Sequence, residues 1–435
     1  MPKQVKNPDF LRQLSVEQLQ TALIEARTAT QAFLEHWRIL THDPRAKLPL
    51  HVEWNLPEWE AGHIAWFQEY WIARNPDRSA GLQVNPDTPR LASLIANSDA
   101  LYHSSEIAHD PRWSLPFPEP EELKHYLDQG LEGTLTLLRE VSACDDSSQL
   151  KAALYFFRLA LYHEDMHAEA ASYSMNHYLH DVGQRWEAGE EEIEMITSFT
   201  YASVFSEMPF KPRLQEGGRS EQRMIQAGER QFGALPEMGF AFDNELPPFT
   251  QWLPSFSIDA TPVSVAEYYA FIQAGGYQNQ SYWSDAGWLW KSQQQAELPR
   301  FHRLNAGHLE RCCFGNWHVV REDSPIVHIT AYEAEAWCAW AERRLPSEHE
   351  WTTAAAEQDE FNWGQVWEWT QSDFLPFDGF IAHPYQDYSQ PWFTGHRVLK
   401  GASFATHARM RNPMYRNFYL PMRNDIYSGF RTCAR

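Results

Sequence analysis

The chain has 435 residues, of which 43% are apolar, so it is long enough for two or three domains with separate cores. Its formal net charge of −22 argues against nucleic acid and anionic membranes as partners, because both require a basic face. The N-terminal stretch has no apolar core of a signal peptide, and no apolar run approaches the length of a membrane span, so we expect a cytoplasmic protein.

The first predicted helix begins at Ser15, which forms a capping box with Gln18. The apolar residues that follow at helical spacing are Leu19, Leu23, Ala26, Phe33 and Trp37. The second predicted helix, Leu56 to Ala73, carries His63 in the middle of an aromatic stripe. After a proline-rich crossing, a third predicted helix has Leu123, Leu127, Leu131 and Leu138 in line.

The fourth predicted helix, Leu154 to Tyr178, carries His163 and His167 four residues apart. Four residues advance a helix by about one turn, so both imidazoles leave the same face. The apolar and small residues on that face are Phe156, Ala160, Ala170 and Ser174. Two imidazoles at this spacing can bind one metal ion, and the alternative is a pair of buried core histidines.

The string His163, Glu164, His167 also reads H-E-x-x-H, the signature of a zinc protease with Glu164 as general base. That assignment requires a third ligand downstream, whereas a suitable histidine, His63, lies upstream. Three imidazoles from two helices would leave coordination positions open for chemistry, and they suit Fe(II), Cu or Zn alike.

The helices together predict a four-helix bundle with one long crossover in residues 1–200. A charged, glycine-containing stretch predicts a linker at 201–222, and a second domain follows at 223–435. One clear helix, Ala331 to Arg343, is predicted in that second domain. The five cysteines, which are odd in number and scattered, fit reduced thiols: Cys144, Cys312, Cys313, Cys338 and Cys433.

Several strings in the second half resemble the formylglycine-generating-enzyme/sulfatase-modifying family, which has a variant of the C-type lectin fold. They include Phe240 to Phe249, Pro262 to Tyr277, Arg344 to Trp351 and Arg397 to Thr406. The first half resembles the DinB-type helical bundle. This pairing, together with the string His163, His167, Glu169, resembles the ergothioneine-type sulfoxide synthases and their selenium relatives.

The resemblance implies an α+β multidomain protein, with a DinB-like four-helix bundle followed by a C-type-lectin-like formylglycine-generating-enzyme/sulfatase domain. It also implies non-haem iron(II) bound by His63, His163 and His167, with O2 as co-substrate. The common acceptor of this family is hercynine, whose quaternary ammonium is best held by aromatic faces. Tyr385 matches the family tyrosine that delivers a proton to reduced oxygen.

Further residues match substrate-contacting positions of the family, namely Tyr388, Asn417 and Phe418. Other positions depart from its known branches. Formylglycine-generating enzymes need a reactive cysteine pair, but Ser403, Ala405 and Thr406 stand in the matching stretch, so that activity is not expected.

The branch that uses γ-glutamylcysteine has a glutamine where this chain has Met166, and an acidic residue where it has Tyr419. It also has a pair of arginines, whereas the corresponding region here offers only Arg112. Four strings instead resemble the selenoneine synthases, which join a selenosugar to hercynine through a C–Se bond. These strings are Gly62 to Asn75, Leu101 to Trp113, Phe157 to Ala170 and Gly401 to Pro413. The expected partners are therefore hercynine and a selenosugar, with the oligomeric state left open.

Three alternatives remain at this point: an ergothioneine-type hercynine sulfoxide synthase that uses cysteine or γ-glutamylcysteine, a zinc protease, and a non-catalytic lectin-like binding module. The sequence also leaves open the roles of Glu164 and Asp165, which could face solvent or support the metal ligands. Glu169 could orient an imidazole only if another element reaches it.

Overall fold

The computed structural model describes residues 12–41, 48–141, 146–181, 220–358 and 360–435. The chain divides into two compact units. The helical unit contains Arg12–Met175 and Ala382–Tyr388, and the mixed unit contains Asn176–Ile381 and Ser389–Arg435. The predicted linker at 201–222 lies almost wholly outside the described residues, so the predicted domain boundaries stay predictions. Cys144 also lies outside them.

Long helices form most of the helical unit. The helices of the first half are α1 (Val16–Thr41), α2 (Pro57–Gln68), α3 (Ser98–Tyr102), α4 (Pro120–Val141), α5 (Ser147–Ala153) and α6 (Tyr155–Asp181). Helices α1, α2 and α4 pack on one another. The predicted capping box is present, because the backbone N–H of Gln18 donates to Ser15 Oγ at 3.3 Å and that of Ser15 donates to Gln18 Oε1 at 2.9 Å.

Helix α2 continues as a wider π-helical turn over Glu69–Ala73. Glu69, which begins this turn, is buried and accepts hydrogen bonds from the Ser93 hydroxyl at 2.6 Å and the Tyr126 hydroxyl at 2.7 Å. Its carboxylate therefore ties the end of the helix to α4 and to the following loop. Buried carboxylates need such partners to offset the loss of hydration.

A short segment from late in the chain, Ala382–Tyr388, belongs to the helical unit. The Tyr155 hydroxyl shares a hydrogen bond of 3.0 Å with His383 Nδ1. The Ser105 hydroxyl donates to Asp387 Oδ2 at 2.5 Å. These side-chain contacts, on either side of Tyr385, attach the segment to α6 and to the loop that follows α3. This placement was not predicted from the sequence.

The mixed unit combines short helices and short strands. Its helices are α7 (Val265–Gln273), α8 (Asp285–Gln294), α9 (Ala331–Trp340) and α10 (Glu348–Glu357). The predicted helix Ala331 to Arg343 is confirmed as α9, which ends at Trp340, whereas the other three helices were not predicted. A serine or threonine three residues before a glutamate caps three of these helices, at Ser264, Thr330 and Ser347. These capping boxes are visible in the sequence, but nine or ten residues show too little periodicity to stand out.

The strands are β1 (Gln222–Ile225), β2 (Gly228–Phe232), β3 (Phe249–Leu253), β4 (Phe256–Asp259), β5 (His302–Asn305), β6 (His308–Cys313), β7 (Asn316–Val319), β8 (Arg343–Arg344), β9 (Trp367–Asp373), β10 (Arg397–Gly401), β11 (Asn417–Tyr419), β12 (Ser428–Phe430) and β13 (Cys433–Ala434). They form sheets in the orders β1-β4-β13-β8, β11-β10-β9-β12, β2-β3 and β5-β6-β7. Only β9 and β12 pair in parallel among the described strands. The predicted α+β class, helices first and a mixed unit after them, is confirmed.

A fully buried ion pair joins β9 to the short link between β12 and β13. Arg431 and Glu368 are both 0% exposed, and Arg431 Nη2 donates to Glu368 Oε1 at 2.7 Å. The guanidinium also donates to the Asp259 carbonyl at 3.0 Å and lies 3.7 Å from the centre of the Phe361 ring. Loss of either charge would leave the other buried without its partner.

We expect Arg431→Ala to lower the free energy of unfolding of the mixed unit by about 3–5 kcal/mol, because the carboxyl group of Glu368 would be left in a buried site without its partner. Urea unfolding followed by tryptophan fluorescence measures this change. The matched control is Arg321→Ala, since Arg321 is 75% exposed and pairs with Asp323 at the surface. Such a pair contributes about 1 kcal/mol or less. Equal losses in the two variants would contradict the prediction.

Among the described residues, no helix is both long enough and apolar enough to cross a membrane. The four described cysteines, Cys312, Cys313, Cys338 and Cys433, are free thiols and are buried. This agrees with the predicted reduced thiols. The cytoplasmic location stays a prediction.

Candidate metal centre

Three imidazoles converge inside the helical unit. His63 comes from α2, and His163 and His167 come from successive turns of α6. Each offers one ring nitrogen, and these three atoms lie within 4.8 Å of one another. The Nε2 atoms of His163 and His167 are 3.2 Å apart. The structure thus brings together the three residues that the sequence predicts as metal ligands.

Two of the rings are oriented by hydrogen bonds on their outer nitrogens. His63 Nδ1 donates to the carbonyl of Tyr102 at 2.8 Å. His167 Nδ1 donates to the carboxylate of Glu60. A ring that donates through Nδ1 carries its free lone pair on Nε2, so both side chains present Nε2 as the ligand atom.

The third ring, His163, is held by stacking. It lies parallel to the Phe67 ring, with 3.6 Å between the ring centroids and 4° between the planes. Its Nδ1 is buried without a hydrogen-bond partner among the described residues. His63 is also stacked, against Trp59 at 4.8 Å and 7°. Aromatic neighbours on α2 therefore fix the ring planes of ligands from both helices.

The protonation states suit metal binding. Burial lowers the pKa of His63 to about 3, and the neighbouring His167 contributes to this shift. Burial also lowers the pKa of His163 well below its ordinary value. For Glu60, burial alone would raise the pKa, but the neighbouring His167, His63 and Asn55 together outweigh burial and lower the pKa to about 2. At neutral pH, His63 and His163 are neutral and Glu60 is ionised, as ligation requires.

A glycine allows α2 to approach the segment that orients His63. A Cβ atom on Gly62 would lie 2.1 Å from Cε1 of Tyr102, which is closer than such atoms can approach. The Tyr102 side chain is fully buried, so it has little room to move away. Gly62 therefore permits the close packing that places the Tyr102 carbonyl next to His63.

The donor set fits a divalent metal ion. Three imidazoles from two helices leave coordination positions for other molecules, an arrangement found in catalytic rather than structural sites. The nitrogen donors suit Fe(II), and they also suit Cu and Zn. His63, His163 and His167 would hold the metal.

The acidic residues beside the ligands are buried. Glu164 is 1% exposed and Asp165 is 6% exposed, so the interpretation of these residues as a solvated face is wrong. Arg27 Nε donates to Glu164 Oε1 at 2.9 Å, and Arg27 Nη2 donates to Oε2 at 3.2 Å. The Thr30 hydroxyl donates to Oε1 at 2.8 Å. Because both oxygens of Glu164 are engaged, this residue is poorly suited to act as the general base of a zinc protease.

The carboxylate that orients His167 is Glu60, and not Glu169 of the same helix. Neither Glu60 nor the stacking role of Phe67 was predicted from the sequence. Glu60 lies one helical turn before His63, so a carboxylate on the face of a predicted ligand was visible. Its contact with α6 depends on how the helices pack, which the sequence does not show.

The segment Ala382–Tyr388 places two predicted tyrosines in the helical unit. The ring of Tyr385 lies 4.9 Å from that of Phe67 and 6.4 Å from that of His163, measured between centroids. The Tyr388 hydroxyl contacts the sulfur of Met166 at 3.8 Å. Tyr385 therefore lies near His163, and Tyr388 contacts the residue that precedes His167, while the predicted roles of Tyr385, Tyr388 and Met166 stay predictions.

The remaining predicted site residue of this unit, Arg112, is buried. Its Nη1 donates to Asn55 Oδ1 at 2.7 Å, and its Nη2 donates to the carbonyls of Ser104 at 3.3 Å and Ile107 at 3.0 Å. Its guanidinium carbon lies 3.8 Å from the centre of the Trp59 ring. These described contacts are all with protein groups.

Asn417, Phe418 and Tyr419 form β11 of the mixed unit. Phe418 stacks on Phe374 with 4.0 Å between ring centroids, and the Arg423 guanidinium lies 5.3 Å from the centre of the Tyr419 ring. Their predicted contact with substrate stays a prediction.

Comparisons with known proteins show which domain family and which enzymes this chain is similar to. Residues 210–365 match the family described as the sulfatase-modifying factor enzyme 1-like domain. The chain is 27% identical to the hercynine oxygenase of Mycolicibacterium thermoresistibile, covering 86% of each chain. It is 28% identical to the hercynine oxygenase of Mycolicibacterium smegmatis, covering 86% of this chain and 89% of that one.

A more distant relative is ergothioneine biosynthesis protein 1 of Schizosaccharomyces pombe, which is 24% identical over 70% of this chain and 42% of its own length. These similarities confirm the prediction of an enzyme of the oxidoreductase type. They also support the predicted resemblance to the ergothioneine-type sulfoxide synthases. The relatives that match over most of the chain are named hercynine oxygenases, and residues 210–365 match the sulfatase-modifying domain.

Proposed function

We propose that the protein is a non-haem iron(II) enzyme that uses O2 to join a small chalcogen donor to hercynine. The observation that carries this proposal is the convergence of three imidazoles with their Nε2 atoms facing one another and Tyr385 beside them. The relatives named hercynine oxygenase support hercynine as the acceptor.

The reaction balances with one O2 for each bond formed, if the product is a sulfoxide or selenoxide. A C–H bond of the hercynine imidazole and the S–H or Se–H bond of the donor are lost, and a C–S or C–Se bond forms. One oxygen atom goes to the chalcogen and the other leaves as water, which accounts for the four electrons that O2 accepts. Iron(II), when bound, supplies the redox centre for this reduction.

The chain's own residues would hold the reactants and move a proton. Tyr385 would donate its hydroxyl proton to reduced oxygen, a role that requires a fixed position close to the ligands. Tyr388, which contacts Met166 of the same unit, would offer its aromatic face to the quaternary ammonium of hercynine. We also propose a cytoplasmic location, because the four described cysteines are buried and form no disulfide, which suits a reducing compartment.

The donor has two candidates. The name of the fission-yeast relative supports a sulfur donor, cysteine or γ-glutamylcysteine, as in ergothioneine-type synthases. A specific observation counts against a charged peptide donor. Both Nη atoms of Arg112 donate to protein groups, so the guanidinium cannot bind a peptide carboxylate through both of them without giving up one of these hydrogen bonds. A selenosugar has no carboxylate and does not need this partner.

We expect γ-glutamylcysteine to be used at least about tenfold less efficiently than a selenosugar. An unpartnered buried carboxylate costs more than the roughly 1.4 kcal/mol that corresponds to tenfold. The test is an aerobic assay of the iron-loaded protein with hercynine and, separately, selenosugar, thiosugar, cysteine and γ-glutamylcysteine. Product formation and O2 consumption are measured together.

The same assay separates the alternatives. Efficient use of cysteine or γ-glutamylcysteine without activity on the selenosugar would assign the ergothioneine-type reaction. A protein that retains zinc and hydrolyses peptides without O2 would contradict the proposal in favour of a protease. If the protein bound no metal and none of the donors reacted, the non-catalytic lectin-like binding module would be favoured.

A further inference from the structure

A chain of polar contacts runs from Arg112 to one of the metal ligands. Arg112 Nη1 donates to Asn55 Oδ1 at 2.7 Å. Asn55 Nδ2 in turn donates to Glu60 Oε1 at 2.5 Å. The other oxygen of Glu60 accepts the hydrogen bond from His167 Nδ1. Every link joins side chains of the helical unit.

The same guanidinium also reaches the surroundings of a second ligand. It stacks on Trp59, whose ring is parallel to that of His63. Its Nη2 binds the carbonyls of Ser104 and Ile107, in the loop that follows Tyr102. Arg112 is only 9% exposed, so these contacts are shielded from water.

We infer that Arg112 and Asn55 are positioning residues that hold Glu60 in place to orient His167 at the metal centre. The inference deepens the proposed function and rests on it in one respect, namely that His63, His163 and His167 bind a metal ion. It gives Arg112 a structural task at the metal centre in place of the substrate contact predicted from the sequence.

The direction of each hydrogen bond explains why both residues are needed. An amide has one accepting end and one donating end, and Asn55 must turn its donating end towards Glu60. A guanidinium only donates, so Arg112 fixes the amide oxygen on its own side and prevents the reversed orientation. A carboxylate held in this way keeps the His167 ring in one tautomer and raises its strength as a ligand.

The experiment uses Co(II) as the probe, because its visible absorption spectrum reports the geometry of its ligands. We expect Glu60→Ala to weaken Co(II) binding about 10- to 100-fold, as loss of an outer carboxylate does at comparable sites. Asn55→Ala and Arg112→Ala are each expected to weaken it about tenfold and to shift the spectrum. Asn55 is only partly buried and uncharged, so its variant tests the inference even if Arg112→Ala fails to fold.

A double-mutant cycle tests the order of the contacts. If Asn55 acts through Glu60, Asn55→Ala should change Co(II) affinity less than about twofold in protein that already carries Glu60→Ala. The matched control is Arg158→Ala, because Arg158 lies on α6 and donates only to the Leu14 carbonyl among its described hydrogen bonds. Its Co(II) affinity and spectrum should equal those of the unaltered protein.

The outcomes separate this inference from the proposed function. Equal effects of Asn55→Ala with and without Glu60 would overturn the inference, as would an unchanged spectrum accompanied only by a lower melting temperature. If the cycle behaves as expected but the iron-loaded protein does not convert hercynine, only the proposed function fails. If the unaltered protein binds no Co(II), both fail.

Discussion

Replacing His63, His163 or His167 by alanine is expected to abolish hercynine-dependent O2 consumption. Each variant loses one of three protein ligands, and two imidazoles hold a divalent ion far less tightly than three. The iron content of the purified protein should therefore fall from one ion to almost none. Iron analysis and an oxygen electrode measure the two effects, and circular dichroism shows whether the helices remain.

Two controls separate this loss from general damage. His125 is exposed on α4, so His125→Ala should keep both iron and turnover. Glu164→Gln should retain iron and measurable turnover, because Glu164 faces Arg27 and Thr30. It should also lower stability, since Arg27 would remain charged in a buried site. A Glu164→Gln protein that binds iron but has no activity, together with an active His63→Ala protein, would favour the protease.

Tyr385→Phe is expected to slow formation of the carbon–chalcogen bond by about 10²- to 10⁴-fold, the range found when a proton donor is removed. The variant keeps the ring that packs near Phe67 and loses only the hydroxyl. Iron content and hercynine affinity should therefore stay unchanged. Oxygen should still be consumed, and more of it should oxidise the donor without joining it to hercynine.

Product analysis by mass spectrometry, alongside oxygen uptake, checks this redistribution. The matched control is Tyr282→Phe, because Tyr282 ends a short helical turn of the mixed unit and has no place in the proposed site. If Tyr385→Phe had the rate and product ratio of the unaltered protein, Tyr385 would have no part in proton delivery.

The helices of the first half and the candidate metal ligands could be predicted because they rest on local periodicity. The helix with His163 and His167 was predicted from residue 154 to 178 and extends from 155 to 181. Spacing along one helix fixes which residues share a face, whatever the rest of the chain does. The pair His163 and His167 was therefore visible in the sequence alone. His63 was predicted as the third ligand because it lies in a stripe of aromatic residues on another predicted helix.

The supporting residues could not be predicted in the same way because they depend on contacts between distant elements. Glu60 reaches a histidine more than a hundred residues away, and Glu164 meets Arg27 on another helix. Exposed and buried acidic residues have the same local pattern when their partner comes from elsewhere. Helices α7, α8 and α10 of the mixed unit were missed for a different reason. Their capping residues could be recognised in the sequence, but their nine or ten residues did not show a clear helical periodicity.

The placement of Ala382–Tyr388 in the helical unit has a consequence for the order in which the protein is synthesised. The three histidines leave the ribosome first, and Tyr385 follows His167 by more than two hundred residues. At about 5–20 residues per second, this interval lasts roughly 10–40 s. The nascent chain then carries every candidate ligand but lacks the proposed proton donor. A chain that stops early therefore retains the ligands without the tyrosine.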